Sequence, residues 1–219
     1  MLRTQPPEVY DQWVSHAIPF NSPEVVGAIE AFGVFAKTDA YVAGGAAAVA
    51  STDFRESPLG LFASPAGCYM HKQASFIPSF FPEGTELGTD ADFFYFPASA
   101  EKDLGAPVLG AGTLAFIMKD TEAARAFIEW LKTPIAHEVW MAQSGFVTPL
   151  KSVNTDLYGS EALKKQGEIL ANATTFRFDA SDLMPGAVGA GSFWTGMVDF
   201  VGGKSAQEVA DAIEASWPK

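Results

Sequence analysis

The chain has 219 residues, of which 48% are hydrophobic and 18% charged, a composition typical of a folded globular protein rather than a disordered one. A net charge of −12 disfavours binding to nucleic acids and to anionic membranes, because both are negatively charged. One cysteine, Cys68, excludes an intrachain disulfide and a cysteine-rich zinc site. The N-terminal residues lack the apolar core of a signal peptide, and no apolar run is long enough to predict a transmembrane helix.

Residues 1–21 are interrupted by prolines and rich in aromatic side chains. Ser22 is a typical helix N-cap and Pro23 a typical first helical residue. Apolar residues then recur at helical spacing, which predicts a helix over 23–36. The alanine-rich segment 44–53 predicts a short second helix. Three apolar or aromatic runs predict strands: Leu59–Ala63, Asp92–Phe96 and Val108–Met118.

Asp120 is the expected N-cap of the clearest helix in the chain. The apolar residues that follow it stand at positions i, i+3, i+4 and i+7, so they line one face of that helix. They are Ala124, Phe127, Ile128 and Leu131. The pair Thr133 and Pro134 ends this helix and begins another, which is expected to close at Gly145.

The remainder of the chain predicts three more helices and one loop. One helix is expected over 160–173, and the glycine-rich stretch Pro185–Gly191 is interpreted as a loop. Ser192 is the expected N-cap of the helix that follows this loop. The sequence SAQE at 205–208 is a capping box, which predicts the start of the last helix. Helices mixed with short strands predict an α/β fold.

Gly110 and Gly112 belong to a segment, 110–115, that matches the looser dinucleotide-binding fingerprint G-x-G-x-x-A. That motif requires a helix directly after the glycines, so that pyrophosphate lies at the helix N-terminus. Here Phe116–Met118 continues as a predicted strand, which disfavours a nucleotide site. We interpret the two glycines as positions where the backbone passes close to another group, because glycine has no side chain.

Other patterns that could support catalysis are weak. His16, His71 and His137 are too far apart in sequence to form a metal-binding motif, and His137 is expected to face solvent. We predict no metal and no cofactor. Asp179 and Asp182 form a carboxylate pair of the kind that glycoside hydrolysis uses, but such pairs are common in surface turns.

Three aromatic residues, Tyr69, Phe193 and Trp194, adjoin turns that contain glycine or proline. An aromatic ring in a cleft can cover the apolar C–H face of a sugar while polar neighbours bind its hydroxyl groups. Packing in the core is the alternative for each of them. The aromatic residues are therefore candidates for a sugar-binding surface.

Several segments resemble the extracellular solute-binding proteins, which are the sugar-binding subunits of ABC importers and are related to maltose-binding protein. In the C-terminal half these segments are Phe127–Trp140, Gly145–Pro149 and Ser192–Trp194. Tyr10–Phe20 and Cys68–Phe76 resemble the alpha-glucoside-binding branch of the family. The resemblance extends over nearly the whole chain, and the order of the segments carries it rather than any single motif.

The resemblance implies a type II periplasmic-binding-protein fold, with helices around a short-stranded sheet. Members of the family are roughly twice as long and close two lobes on a sugar at a hinge, so this chain is expected to form the C-terminal lobe only. Residues 1–108 and 156–219 are expected to build that lobe. Residues 109–155 are expected to form the hinge crossover and a helix pair that packs on the N-terminal lobe.

The resemblance also implies where a ligand binds. Trp194 corresponds to an aromatic residue that stacks on the sugar in the family. The expected ligand-binding residues are Tyr69, His71, Gly110, Gly112, Phe193 and Trp194. The expected ligand is an alpha-glucoside or a related oligosaccharide, and no catalytic residue is predicted.

Partners and location follow from the same resemblance. The full-length protein is expected to be periplasmic or extracellular and to deliver its ligand to an ABC permease in the membrane. In this chain, the helices of 120–145 would lack the lobe that they pack on in the family. We therefore predict a homodimer of the chain through 120–145.

Two functions of other classes remain as alternatives. The first is a generic protein-interaction domain without a small-molecule site. The second is a glycoside-processing enzyme that uses Asp179, Asp182 or other carboxylates. A binding protein differs from the enzyme because it releases its sugar unchanged.

Overall fold

The computed structural model describes residues 1–98, 102–143 and 146–218. The chain folds into two compact units. The first unit comprises Met1–His71, Pro97–Gly110 and Thr174–Lys219, and the second comprises Lys72–Phe96 and Ala111–Ala173. Among the described residues, no helix has both the length and the apolar character needed to cross a membrane.

Helices make up most of the regular structure. In chain order they are α1 (Pro7–Val14), α2 (Pro23–Ala36), α3 (Ala46–Ser51), α4 (Glu122–Leu131), α5 (Pro134–Met141), α6 (Glu161–Ala171), α7 (Ala180–Leu183), α8 (Phe193–Val201) and α9 (Ala206–Ala215). Short 3-10 turns cover Asp39–Tyr41, Ser57–Leu61, Ile77–Phe80 and Thr155–Leu157, and a π-helix covers Ala187–Ser192. Helices α4, α5 and α6 lie in the second unit, and the other six lie in the first.

The strands β1 (Pro107–Gly110) and β2 (Thr175–Phe178) pair in parallel within the first unit, with Pro107 opposite Thr175 and Gly110 opposite Phe178. Together with the helices, this small sheet confirms the predicted α/β class. The predicted strand over Val108–Met118 is correct only as far as Gly110, where β1 ends.

The other two predicted strands are wrong. Residues 57–61 form a 3-10 turn, with Pro58 in its first turn, where the fixed φ of proline favours a helical conformation. Residues 92–96 form no regular strand. A β-strand is defined by its hydrogen bonds to a neighbouring strand, and an apolar run does not specify that neighbour.

The N-terminal helices show what proline does at a helix start. Helix α2 covers the predicted range, with Pro23 in its first turn, and α3 lies within the predicted 44–53. Helix α1, which the sequence analysis did not predict, begins at Pro7. Proline is well tolerated there because the first N–H groups of a helix have no partner inside it. Pro6 and Pro7 therefore lie at the start of a helix rather than prevent one.

Side-chain caps fix the starts of three later helices. The Thr121 hydroxyl accepts a hydrogen bond from the Ala124 N–H at 3.1 Å, so the N-cap of α4 is Thr121 and not the predicted Asp120. Asp120 instead forms an ion pair with Arg125. Ser160 caps α6, which covers most of the helix predicted over 160–173. The predicted capping box is also confirmed, because Ser205 and Glu208 exchange both of its hydrogen bonds.

The glycine-rich stretch Pro185–Gly191 was predicted to be a loop, and this prediction is wrong. Residues 187–192 form a π-helix that runs directly into α8. Ser192 therefore has helical φ and ψ angles of −63° and −32°, and its side chain makes no capping hydrogen bond. It lies inside a continuous helical segment rather than at a free helix end.

The core of the first unit is aromatic at its centre. The Trp13 ring packs edge-on against Phe20 and Phe193, with ring centroids 5.6 and 5.7 Å apart. Phe20 is completely buried. Apolar residues from α2, the π-helix and α9 complete this core; the most deeply buried of them are Val25, Val188, Val209, Ala210 and Ile213. The π-helix and α8 thus pack on a buried apolar core.

The second unit has a smaller core, formed by Met141, Tyr158 and Leu163. Pro134 begins α5 as predicted, whereas the predicted closing residue, Gly145, lies outside the described residues. The prediction that His137 faces solvent is wrong, because its ring is half-buried and makes two hydrogen bonds. Its Nε2 lies 2.8 Å from the carbonyl oxygen of Leu131, and its Nδ1 lies 2.6 Å from the Thr148 hydroxyl.

Candidate ligand-binding site

Trp194 is the most prominent exposed aromatic residue on the helical segment that follows the π-helix. It stands in the first turn of α8, and 71% of its surface is exposed. An exposed indole face gains free energy when it is covered, so it can serve as a stacking surface for the apolar face of a ligand. Trp194 is therefore the anchor of the candidate site.

Its neighbour Phe193 faces the opposite way. The Phe193 ring packs edge-on against Trp13 and Phe20, with centroids 5.7 and 5.2 Å apart. These contacts place Phe193 against the aromatic core of the first unit. Phe193 fixes the base of α8, while Trp194 presents the exposed ring.

Tyr69 and His71 lie on the segment after the Ser57–Leu61 turn. Tyr69 is 87% exposed, so its ring is free to meet a ligand. His71 is half-buried, and its Nε2 lies 2.8 Å from the Ser57 hydroxyl. Burial lowers the pKa of the His71 imidazole below its ordinary value, which favours the neutral ring. A neutral imidazole suits an uncharged ligand such as a sugar.

The two glycines expected to bind ligand, Gly110 and Gly112, differ in their surroundings. Gly110 ends β1 with its Cα against the Phe176 ring, where a Cβ would come within 2.5 Å of a ring carbon. Its carbonyl oxygen accepts a hydrogen bond from the Asp179 N–H at 3.0 Å. A Cβ at Gly112 would meet nothing within 4 Å. The backbone thus passes close to another group at Gly110, as the sequence predicted, but not at Gly112.

The structure places Tyr69, His71, Phe193 and Trp194 in the first unit. Among the described residues, no ring contact joins Tyr69 to Trp194. Two relevant positions were missed by sequence reasoning: Ser57, which lies within hydrogen-bond distance of His71, and Gly189, the residue of the π-helix that packs on the backbone of α7. No local sequence signal identifies either, because both act through contacts with other segments.

Asp179, one of the two carboxylates singled out for hydrolysis, has a structural role. Asp179 is the N-cap of α7, and its Oδ1 accepts hydrogen bonds from the N–H and the hydroxyl of Ser181, at 2.9 and 2.8 Å. That arrangement stabilises a helix start rather than orienting a carboxyl group toward a substrate. Within the described part of the chain, no three histidine, cysteine or acidic residues cluster as metal ligands would.

Comparison with known proteins shows which class of protein the chain is similar to. The chain is similar along its whole length to solute-binding proteins, which confirms the resemblance predicted from the sequence. It is 71% identical over 218 residues to the alpha-glucosides-binding periplasmic protein AglE of Rhizobium meliloti, an alignment that covers 99% of this chain and 48% of the relative. It is 42% identical over 219 residues to the osmoprotective compounds-binding protein GgtB of Synechocystis, covering 100% of this chain and 52% of the relative.

The chain thus spans about half the length of the curated relatives that it matches. Both relatives are named as binding proteins, and neither name describes an enzyme. No protein-family model matches the chain, and no solved structure does.

Proposed function

We propose that this chain is the C-terminal lobe of the substrate-binding component of an ABC sugar importer, and that the whole protein binds alpha-glucosides or related oligosaccharides. The exposed Trp194 ring carries the proposal, because it stands on a helix whose other two aromatic residues, Phe193 and Phe200, pack in the core. The 71% identity to an alpha-glucosides-binding protein supports the same ligand class. In the whole protein this lobe would have the type II periplasmic-binding-protein fold and lie in the periplasm.

The mechanism follows from the geometry of one exposed ring. An indole face can cover the C–H face of a glucose unit, but the opposite face of the sugar stays in water. Good ligand sites bury most of the ligand surface, so a second lobe must close over the sugar. Closure gives the loaded protein a different shape from the empty one, which a membrane permease can select.

We propose further that residues 1–108 and 156–219 form the lobe and that 109–155 forms the hinge crossover and the helix pair that packs on the other lobe. Helices α4 and α5 support this, because both have apolar side chains in contact with solvent. These are Phe127, Trp130, Ile135, Val139 and Trp140, between 43% and 60% exposed. In the isolated chain, the same surface is proposed to pair with a second copy.

Calorimetric titration tests the proposal. The two-lobed protein that contains this chain should bind maltose or another alpha-glucoside at micromolar concentration or below, and should return it intact in a reducing-sugar assay. The isolated 219-residue chain should bind the same sugars much more weakly, because it supplies one wall of the site. Turnover of the sugar would support the enzyme alternative, and absence of binding to any glucoside by the two-lobed protein would contradict the proposal.

A further inference from the structure

The π-helix Ala187–Ser192 lies between α7 and α8 and ends directly before Phe193 and Trp194. Each π-turn contains one residue more than an α-turn, because its hydrogen bonds span five residues rather than four. Segments of this kind are rare and need a compensating contact to persist. The contact here is with α7, against which the π-helix packs.

Gly189 makes that contact possible. It is buried inside the π-helix, next to Val188, which has no exposed surface. A Cβ at position 189 would lie 1.9 Å from the carbonyl oxygen of Ser181 and 2.8 Å from its carbonyl carbon. Both atoms belong to the backbone of α7, so neither can move aside without moving the helix. Only glycine allows the π-helix to lie this close to α7.

The extra residue decides which way the following side chains face. Successive residues of a helix are separated by about 100°, so one inserted residue rotates everything after it by about that angle. With the π-turn, Phe193 faces the core and Trp194 faces solvent. An α-turn in the same place would rotate Phe193 out of the core toward the present direction of Trp194.

The far end of the π-helix is also anchored. The hydroxyl groups of Ser192 and of Ser216, which lies just after α9, are joined by a hydrogen bond with an Oγ–Oγ distance of 2.7 Å. The segment is thus held at Gly189 by backbone packing and at Ser192 by a hydrogen bond. Between these two points the π-conformation fixes the direction of α8.

We propose that Gly189 is a positioning residue for ligand binding: by letting the π-helix pack on α7, it directs the Trp194 ring outward into the sugar-binding site. This inference rests on the proposed function, in which Trp194 contacts the sugar. Gly189 touches no ligand itself and acts through the direction of the indole.

The test compares Gly189→Ala with Gly186→Ala. Gly186 is the matched control, because a Cβ there would meet nothing within 4 Å and its φ of −57° suits any residue. The 219-residue chain is labelled with 5-fluorotryptophan, which gives one 19F signal for each of its five tryptophans. The Trp194 signal is assigned with Trp194→Phe, and its solvent exposure is measured as the frequency change between H2O and D2O.

In the wild type and in Gly186→Ala, the Trp194 signal should show the solvent-induced shift of an exposed indole. In Gly189→Ala that signal should move and its solvent-induced shift should fall, because the ring leaves its outward position. An unchanged Trp194 signal in a folded Gly189→Ala variant would overturn the inference. If Gly189→Ala does not fold, Ser192→Ala decides: it removes only the anchor to Ser216 and should move the same signal, and no movement would overturn the inference.

A second measurement relates the direction of the Trp194 ring to the affinity for maltose. In the two-lobed protein, Gly189→Ala should weaken maltose affinity about tenfold or more, as loss of a buried aromatic anchor does, while Gly186→Ala should stay within about twofold. Combining Gly189→Ala with Trp194→Ala should add little to the effect of Trp194→Ala alone. If Trp194→Ala leaves the affinity unchanged, the proposed sugar contact fails, while the 19F comparison still decides the role of Gly189.

Discussion

His16 and Glu214, 198 residues apart in the chain, are joined by the Nε2 atom of His16, which lies 3.0 and 3.2 Å from the two carboxylate oxygens. A carboxylate only accepts hydrogen bonds, so Nε2 carries the proton. The His16 ring also stacks on Trp217, with centroids 4.0 Å apart and planes 10° from parallel. The same carboxylate accepts the Phe20 N–H at 2.6 Å. The turn after α1 is thereby fixed to the last helix.

Removing the charge of Glu214 should destabilise the first unit. Glu214→Gln keeps the size of the side chain but replaces charge-assisted hydrogen bonds with neutral ones, so we expect a loss of about 1–2 kcal/mol in the free energy of unfolding. Urea denaturation followed by circular dichroism measures it. Glu30→Gln, on the exposed face of α2, is the control and should change stability by less than about 0.5 kcal/mol. Equal effects of the two substitutions would contradict the role of Glu214.

The same carboxylate should make stability depend on pH. Burial raises the pKa of Glu214, but the hydrogen bonds from His16 and from the Phe20 N–H outweigh it and hold the pKa below its ordinary value of 4.5. The unfolded chain then binds the proton more readily than the folded one. The stabilisation of the fold by the ionised Glu214 carboxylate is therefore fully present above pH 4.5. It is lost as the pH falls through the lowered pKa of the folded state.

Denaturation of the wild type and of Glu214→Gln between pH 7 and pH 3 tests this pH dependence of stability. The difference between the two in the free energy of unfolding should be constant in the upper part of the range and should shrink below about pH 4.5, because a protonated glutamic acid resembles glutamine. A difference that stays constant down to pH 3 would show that the ionised carboxylate is not what stabilises the fold.

The elements that the sequence predicted well are those with local signals. Pro23 in the first turn of α2 and the capping box at Ser205 are defined by residues within one helical turn, and both predictions are confirmed. The strands failed because their partners are distant: β1 pairs with residues 175–178, and nothing within 92–96 specifies a neighbouring strand. Pairing between remote segments is a tertiary property, so an apolar run alone overpredicts strands.

The candidate site shows the same limit. The exposure of Trp194 agrees with its predicted place after a glycine-rich stretch, because that stretch suggested a surface. The inward direction of Phe193 was left open, since it depends on a π-helix that the sequence suggested was a loop. That π-helix forms through the packing of Gly189 on the Ser181 backbone, a contact between two segments that no local pattern encodes.

A hydrogen bond from a buried tyrosine should contribute measurably to the first unit. The Tyr10 hydroxyl donates to the carbonyl oxygen of Phe178 at 2.6 Å and so links α1 to the end of β2. Tyr10→Phe removes the donor and leaves that carbonyl without this partner, so we expect a loss of about 1–2 kcal/mol. Thermal unfolding measures it. Tyr41→Phe is the control, because the Tyr41 side chain is 71% exposed; similar losses in both variants would contradict the prediction.

In the two-lobed protein, Trp194→Ala should weaken binding of alpha-glucosides by roughly 2 kcal/mol, about 30-fold in affinity, as for other aromatic anchors that become buried on binding. Titration calorimetry with maltose measures the change. Tyr41→Ala is the matched control, since Tyr41 is exposed to the same 71% as Trp194 but lies in the Asp39–Tyr41 turn. An unchanged affinity in a folded Trp194→Ala variant would remove Trp194 from the site.

The apolar surface of α4 should make the isolated chain dimerise. Phe127 and Trp130 lie one above the other on this helix, with ring centroids 5.9 Å apart, and are 57% and 43% exposed. Covering such side chains yields roughly 1.5–3 kcal/mol for each one fully buried, so a second copy of the chain gains free energy by packing on them. The net charge of −12 opposes open-ended aggregation but permits one compact contact.

Sedimentation equilibrium distinguishes this contact from a general effect of charge. We expect the wild type to dimerise at high micromolar concentration and the double variant Phe127→Asp, Trp130→Asp to stay monomeric. The control is Ala123→Asp, Ala126→Asp, which adds the same two negative charges at exposed positions of the same helix and should still dimerise. Because both variants change the net charge equally, only loss of the aromatic rings separates them. A wild type that stays monomeric at millimolar concentration, or a dimer that survives the aromatic substitutions, would contradict the prediction.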